Sequence, residues 1–275
     1  MADFIRRLWV ALLLIPVVVA GLYLDPTPYS ILIMSAIATM FAQDEYLRMA
    51  LPVRAGDQEW PLRIVVVFGL GGAIHALPML VSPEKALPPL LTFSVAAVAL
   101  TTLMRRHHLE RAGQHMSVCL ASLVYVPLLA SVWPMLKASY GPGWLFLTLA
   151  LAFLSDTIAY IFGRLWGRHK LYPAVSPGKT WEGSLGGIVG GVIATIGFGS
   201  LLLVPELPIF HALVLGVLGS LFGQLGDLFE SMLKRSHKIK DSSALLGAHG
   251  GMLDRVDALL FVGPVVYYYN VLVLH

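Results

Sequence analysis

Nine blocks of mostly apolar residues follow one another along the chain, with shorter polar segments or turns between them. A helix needs about 20 such residues to cross a bilayer. The blocks cover residues 8–24, 28–42, 62–81, 86–104, 116–136, 143–163, 184–204, 207–226 and 256–274. This pattern predicts an all-α integral membrane protein, a polytopic helical bundle of about nine transmembrane helices.

Basic residues fall almost entirely on one side of this arrangement. When the N-terminus is placed in the cytoplasm, every one of the 19 Lys and Arg residues except Lys85 and Lys137 lies in a segment assigned to the cytoplasm. Cytoplasmic loops of membrane proteins carry such an excess. Because an error of one span would reverse every later loop, the distribution supports nine spans and a cytoplasmic N-terminus.

The composition changes the picture in two ways. Of the 275 residues, 57% are hydrophobic and 13% are charged, and the mean hydropathy is +0.77, whereas soluble domains are about 25% charged. An ordinary water-soluble enzyme is therefore excluded. The single Cys119 can form neither an intrachain disulfide nor a thiolate metal site. The cytoplasmic loops explain the net charge of +3, so we expect no nucleic-acid partner.

Polar residues enter the apolar blocks mainly in the second half of the chain. We expect a single transmembrane domain, with spans one to five in residues 1–142 and a catalytic part with spans six to nine in residues 143–275.

Asp156 lies inside the sixth block, where a carboxylate costs about 2.5–3.5 kcal/mol. It is either a buried tie between helices or part of a polar cavity that faces the cytoplasm. Asp44 and Glu45 are expected to cap their helix at the interface, although Glu45 could approach that cavity.

The polar segment before the seventh block contains the sequence Gly178-Lys179-Thr180. It is not a Walker A loop, because Pro173 stands where that motif requires glycine. We instead expect a rigid Pro-Gly turn that fixes Lys179 and Thr180 beside a helix start, where free backbone N–H groups favour an anion. The segment either contacts phosphate or is an ordinary basic cytoplasmic loop.

Acidic and basic residues alternate at the membrane edge after the eighth block. If the eighth helix continues past Asp227, then Asp227, Ser231 and Lys234 lie on one face, so that a metal ligand and a phosphate-binding cation point the same way. Asp254 and Asp257 are neighbours at the start of the ninth span. Carboxylates without cysteine suit a hard cation such as Mg²⁺, which takes one or two carboxylates plus substrate phosphates. The alternative is a set of interfacial salt bridges and helix caps.

The same stretch resembles the signature of the phosphatidate cytidylyltransferases, also called CDP-diacylglycerol synthases. The matching residues are Ser231, Leu233-Lys234-Arg235, Lys240-Asp241, Ser243, Leu246-Gly247, His249-Gly250-Gly251-Met252 and Asp254-Arg255-Val256-Asp257. Also similar to the family are Asp156-Thr157, Ser176-Pro177 and Lys179-Thr180-Trp181-Glu182-Gly183. The resemblance covers about residues 150–260, and the first five spans match only in being hydrophobic.

The resemblance implies an enzyme of phospholipid biosynthesis that transfers CMP from CTP to phosphatidic acid, giving CDP-diacylglycerol and pyrophosphate. It implies a requirement for Mg²⁺, with a second cation as an option, and a site on the cytoplasmic face of a bacterial inner membrane. The phosphatidate oxygen is already an anion and needs no strong general base, so metal and cations must neutralise the phosphates. We also expect a homodimer.

Individual roles follow as hypotheses. Asp227 and Asp254 are expected to hold Mg²⁺, with Asp257 and Asp156 either as second-choice ligands or as groups that contact the ligands. The other members of the expected catalytic set are Lys234, Arg235, Lys240, His249 and Arg255. Further substrate contacts are expected from Asp156, Ser176, Lys179, Thr180, Ser231 and the backbone N–H groups of Gly250 and Gly251. Lys179 would hold either the nucleotide tail or the lipid phosphate.

Two other functions fit parts of the pattern. A prenol or dolichol kinase, or an archaeal-type CTP-dependent lipid cytidylyltransferase, also brings CTP to a membrane lipid. The products distinguish kinase from cytidylyltransferase, because a kinase releases CDP and a cytidylyltransferase releases pyrophosphate. A proton- or cation-coupled transporter would use Asp156 and Asp227 as coupling sites, but it needs no lysine-rich helix end beside His-Gly-Gly.

Overall fold

A computed structural model describes residues 16–51, 63–103, 109–243, 245 and 250–274. Helices α1 to α9 cover residues 16–23, Tyr29–Ala50, Ile64–Leu80, Pro83–Leu103, Ala112–Tyr140, Pro142–Trp166, Trp181–Leu203, Ile209–Ser236 and Leu253–Leu274. Strands β1 and β2 are Lys170–Tyr172 and Ser176–Thr180. His249, one of the predicted site residues, lies outside the described part of the chain.

Six helices among the described residues, α4 to α9, are long and apolar enough to cross a membrane. Helix α3 is apolar but shorter, and α2 carries Gln43, Asp44 and Glu45 towards its end. Most of the first predicted span lies outside the described residues. The chain is thus an all-α membrane protein, as predicted, while the number nine and the orientation of the N-terminus stay predictions.

Helix α8 continues well beyond the predicted end of its apolar block at residue 226 and reaches Ser236. Hydropathy falls after Gly226, but Leu, Met, Glu and Lys are all good helix formers. Lys234 and Arg235 lie in the last turn, where positive charge offsets the helix dipole. The polar residues predicted to share a helix face therefore do lie on one continuous helix.

The chain divides into two compact units. The first contains Thr27–Met135 and Asp241–Asp254, and the second contains Ile15–Pro26, Leu136–Lys240 and Arg255–His275. In the first unit, α2 packs against α3 and α5, and α4 packs against both of these helices. Buried polar side chains of α2 bond to α3 and to α5, a common way of holding helices together in lipid. The predicted division of the chain at residue 142 stays a prediction.

Helices α6, α7 and α8 of the second unit pack on one another at very short range. A Cβ atom added to Gly190 of α7 would lie 2.7 Å from the carbonyl oxygen of Leu154 in α6. One added to Gly216 of α8 would lie 2.7 Å from Val192 Cα in α7. Only glycine permits such contacts between backbones, a known mode of helix packing in membranes. The packing therefore fixes α6, which carries Asp156, and α8, which carries Asp227, against α7.

A small antiparallel hairpin interrupts the helical fold between α6 and α7. Strand β1 pairs with β2, with Lys170 opposite Thr180 and Tyr172 opposite Ser176. The prediction of a rigid Pro-Gly turn here was wrong, because residues 176–180 form an extended strand. The cause is the cross-strand pairing, which apolar periodicity does not reveal. The expected helix start was correct, since α7 begins at Trp181.

Candidate active site

Three carboxylates converge in the second unit. Asp227 and Glu230 of α8 and Asp257 of α9 each offer an oxygen, and the three oxygens lie within 4.8 Å of one another. Asp227 and Glu230 are i and i+3 neighbours on one helix face. Glu230 is almost completely buried, with a side-chain exposure of 1%. An all-oxygen set of this spacing fits a hard divalent cation.

The convergence depends on close contact between α8 and α9. A Cβ atom added to Gly226 would lie 2.6 Å from the carbonyl oxygen of Asp257, and one added to Gly223 would lie 3.0 Å from Val262 Cγ2. The two helices therefore touch directly beside Asp227. Larger residues at these positions would separate Asp227 from Asp257.

Two lysines contact this acidic cluster. Lys179 Nζ lies 2.6 Å from Asp227 Oδ2, and Lys234 Nζ lies 2.6 Å from Glu230 Oε2. Lys179 comes from β2, so the hairpin delivers a cation to the carboxylates of α8. The attraction within each pair offsets part of the cost of removing the two charges from water. Lys234, predicted as a phosphate ligand, contacts Glu230 in this structure.

Asp156 and Arg255 extend the site. Electrostatic interactions link Asp156 to Asp227, Lys179 and Arg255, and they link Asp257 to the same Asp227 and Lys179. The side chain of Asp156 is exposed at the surface of the chain, and both expected roles, a buried contact between helices or part of a polar cavity, stay predictions. The second unit thus brings together a mixed set of acids and bases within the range of Coulomb forces.

Hydroxyl groups near the cluster have local structural partners. Ser231 Oγ lies 3.4 Å from Asp227 Oδ1, one helical turn away, as the spacing predicts. Thr180 is buried, and its Oγ1 accepts a hydrogen bond from the N–H of Gly183 at 3.1 Å, which caps the start of α7. Ser176 is half-buried in β2. Their expected roles in substrate binding stay predictions.

The basic residues at the end of α8 differ in their surroundings. Arg235 Nε donates to the carbonyl oxygen of Val175 at 3.4 Å, and Nη1 donates to that of Ile239 at 3.0 Å. This guanidinium therefore connects the hairpin loop to the turn after α8. Lys240 is exposed. Phosphate binding by Arg235, Lys240 and Arg255 stays a prediction.

Asp254 belongs to the first unit, where it organises the turn before α9. Its Oδ2 accepts hydrogen bonds from the N–H of Ser242 at 3.0 Å and of Gly251 at 2.7 Å. Gly250 has a φ of +75°, and a Cβ atom there would lie 2.6 Å from Asp254 Oδ2. Within the described residues, the acidic cluster suited to a metal does not include Asp254. Its role as a metal ligand stays a prediction.

Sequence reasoning missed two carboxylates. Glu230 was recognisable from its i+3 spacing to Asp227 and its i+4 spacing to Lys234. The sequence predicts that Glu45 caps its helix at the interface or approaches the polar cavity. In the structure Glu45 is buried, with 4% exposure, and accepts hydrogen bonds from the N–H groups of Met252 and Leu253 at the start of α9. Nothing in the local sequence indicates this contact between distant segments.

Together these observations define a polytopic α-helical membrane protein with a carboxylate and lysine site suited to phosphate chemistry. A family model described as "Cytidylyltransferase family" matches residues 5–273. The phosphatidate cytidylyltransferase of Staphylococcus haemolyticus is 35% identical over 214 residues, which cover 74% of this chain and 80% of that protein. That of Bacillus subtilis is 46% identical over 132 residues, covering 47% and 48%. The chain therefore belongs to the cytidylyltransferase family.

Proposed function

We propose that this protein is a phosphatidate cytidylyltransferase, which transfers CMP from CTP to phosphatidic acid and releases pyrophosphate. The observation that carries the proposal is the Lys179 and Asp227 ion pair beside Glu230 and Asp257. It combines ligands for a cation with a cation for phosphate on membrane helices. Relatives of which the match covers 80% are named for this activity.

The two substrates set requirements that such a site meets. CTP is a polyanion dissolved in the cytosol, whereas phosphatidic acid is held in a leaflet by its acyl chains. Their phosphates can meet only at the membrane surface. We propose that the site opens to the cytoplasm at the inner membrane of a bacterium, because Lys234 and Arg235 lie at the end of α8 and basic residues favour the cytoplasmic side.

Asp227, Glu230 and Asp257 are the proposed ligands for Mg²⁺, and Asp254 is a further ligand proposed on the sequence motif alone. When bound, Mg²⁺ would stabilise negative charge on the triphosphate and on the leaving pyrophosphate. The oxygen spacing of at most 4.8 Å supports this assignment. Lys179 and Lys234, which contact the same carboxylates, would then be available to phosphate oxygens.

The reaction itself asks little covalent chemistry of the protein. A phosphate oxygen of phosphatidic acid forms a bond to the α-phosphorus of CTP, and the bond from that phosphorus to the bridging oxygen breaks to release pyrophosphate. Because the attacking oxygen is already an anion, orientation and charge neutralisation are the main requirements. Lys179, Lys234 and Arg255 are proposed to supply the neutralising charge, with Arg235 and Lys240 as further phosphate contacts.

The test measures pyrophosphate and CDP released from CTP by the purified protein in detergent, with and without phosphatidic acid and Mg²⁺. We expect pyrophosphate only when both are present. Asp227→Asn should abolish it, whereas Glu206→Gln should not, because Glu206 is an exposed carboxylate of the same unit outside the cluster. CDP in place of pyrophosphate would indicate a lipid kinase. If the protein released neither pyrophosphate nor CDP but took up ions in proteoliposomes, the result would indicate a transporter.

We also propose that the protein is a homodimer, since cyclic dimers are the commonest closed assemblies of identical chains. Crosslinking in native membranes should give a species of twice the monomer mass. A monomer alone at saturating crosslinker would contradict the proposal.

A further inference from the structure

A single buried carboxylate from α2 binds the segment of residues 241–254, here called the signature segment. Glu45 Oε1 accepts hydrogen bonds from Ser243 Oγ at 2.6 Å and from the N–H of Met252 at 3.0 Å. Its Oε2 accepts from Ser242 Oγ at 2.9 Å and from the N–H of Leu253 at 2.8 Å. Both ends of the described signature segment are therefore attached to one side chain.

Ser242 connects this carboxylate to Asp254. Its Oγ lies 2.9 Å from Glu45 Oε2 and 2.9 Å from Asp254 Oδ2, and its N–H donates to Asp254 at 3.0 Å. Gly251 makes the arrangement possible, because a Cβ atom there would collide with both Glu45 Oε2 and Ser242 Oγ. The second glycine of the His-Gly-Gly motif thus leaves room for Glu45.

The arrangement requires a carboxylate and not merely a polar group. Burying a charge is costly unless hydrogen bonds compensate for the lost water. Here Ser243 Oγ and the N–H groups of Met252 and Leu253 donate to the two oxygens. The single hydroxyl hydrogen of Ser242 is shared between Glu45 and Asp254. The N–H groups of Met252 and Leu253 lie at the start of α9, where the helix dipole also favours an anion. An amide at position 45 would turn an NH₂ group towards one of these two N–H groups, and a backbone N–H cannot reverse its direction as a hydroxyl can.

We propose that Glu45 is a positioning residue, which holds the signature segment, and through Ser242 the Asp254 carboxylate, in the geometry needed for cytidylyl transfer. This inference rests on the proposed function. Glu45 acts through its contacts with Ser242, Ser243 and the first turn of α9. Misplacing a catalytic group by about 1 Å can cost about 100-fold in rate, so a change confined to this anchor should appear in turnover.

The test compares Glu45→Gln with Asp44→Asn. Asp44 is the adjacent acid, and within the described residues it pairs with Arg48 at 2.8 Å and with Arg63. We expect Glu45→Gln to lower kcat by about 10- to 100-fold with less than a threefold change in the KM for CTP, and Asp44→Asn to stay within twofold of wild type. Amide hydrogen exchange should accelerate in peptides covering residues 241–254 and not elsewhere.

A second comparison keeps the proposal testable if Glu45→Gln folds poorly. Ser243→Ala removes only one donor and should lower kcat in the same direction by a smaller factor. Glu45→Asp retains the charge and should recover part of the loss seen with Glu45→Gln. In the double variant of Glu45→Gln and Ser243→Ala, the losses should be less than multiplicative, because both remove the same contact.

Three outcomes would overturn the inference. They are a kcat for Glu45→Gln within twofold of Asp44→Asn, multiplicative losses in the double variant, and faster amide exchange throughout the protein. Failure of the proposed function gives a different result, since the wild type itself would then release no pyrophosphate. Hydrogen exchange would still report in that case whether Glu45 anchors the segment.

Discussion

Lys179 Nζ lies 2.6 Å from Asp227 Oδ2, which joins the hairpin before α7 to the polar end of α8. The contact links two segments that the sequence singles out for different reasons, a Gly-Lys-Thr sequence and an alternation of acids and bases. It places one cation beside a group of carboxylates proposed to hold another. The positive and negative charges of this ion pair thus come from two elements of the second unit, β2 and α8.

Replacing Lys179 by methionine should lower kcat/KM for CTP or for phosphatidic acid by about 10- to 100-fold. A hydrogen bond to a charged group contributes about 1.5–3 kcal/mol, and the methionine keeps most of the apolar stem. Whichever substrate shows the increased KM is the one that Lys179 binds. Lys170→Met is the matched control, because Lys170 is an exposed lysine of the same hairpin. Equal activity of the two variants would contradict a role for Lys179 in binding.

Glu230 and Lys234 form an ion pair, and we expect their contributions to the stability of the protein to be coupled. With side-chain exposures of 1% and 11%, removing one partner leaves a poorly solvated charge, which costs about 3 kcal/mol or more. Glu230→Gln and Lys234→Met should therefore each lower the midpoint of thermal unfolding in detergent. The double variant should be more stable than the sum of the two losses predicts. Additive losses would mean that the pair contributes no coupling.

The sequence predicts those features that depend on local patterns. Apolar blocks correspond to helices α4 to α9 because burial in lipid selects long runs of apolar residues. The neighbour relation of Asp227 and Ser231 follows from helical periodicity. The helix start after Thr180 follows from a side chain that caps the first turn.

The contacts that the sequence does not reveal are long-range or made by polar segments. Glu45 and Ser243 are 198 positions apart, and neither periodicity nor composition relates them. The hairpin of β1 and β2 was missed because its strands are short and largely exposed. Asp44 and Glu45 show the difficulty most clearly, since one pairs with nearby arginines and its neighbour binds the signature segment. Only the packing of α2 distinguishes them.

Substitutions of two glycines in α7 should show whether tight packing or helix propensity determines the stability of the protein at each position. A Cβ atom on Gly190 would lie 2.7 Å from Leu154 O and 3.0 Å from Ile158 Cβ, whereas one on Gly197 would meet nothing within 4 Å. Gly190→Ala should destabilise the protein by about 1–3 kcal/mol, as overpacking does. Gly197→Ala should be neutral or stabilising, because alanine favours helix. Unfolding midpoints in detergent give the comparison, and equal midpoints would contradict tight packing at Gly190.

Gly250 should tolerate substitution far less well than a glycine of ordinary conformation. Its φ of +75° lies in a region that residues with a Cβ atom rarely adopt, and the added atom would lie 2.6 Å from Asp254 Oδ2. Gly250→Ala should therefore displace the Asp254 carboxylate and reduce pyrophosphate release by at least about tenfold. Gly113→Ala, in the same unit and with open space around its Cβ position, should retain activity. Because strain at residue 250 acts through Asp254, combining Gly250→Ala with Asp254→Asn should add little further loss. A full multiplicative loss would mean that the two residues act independently.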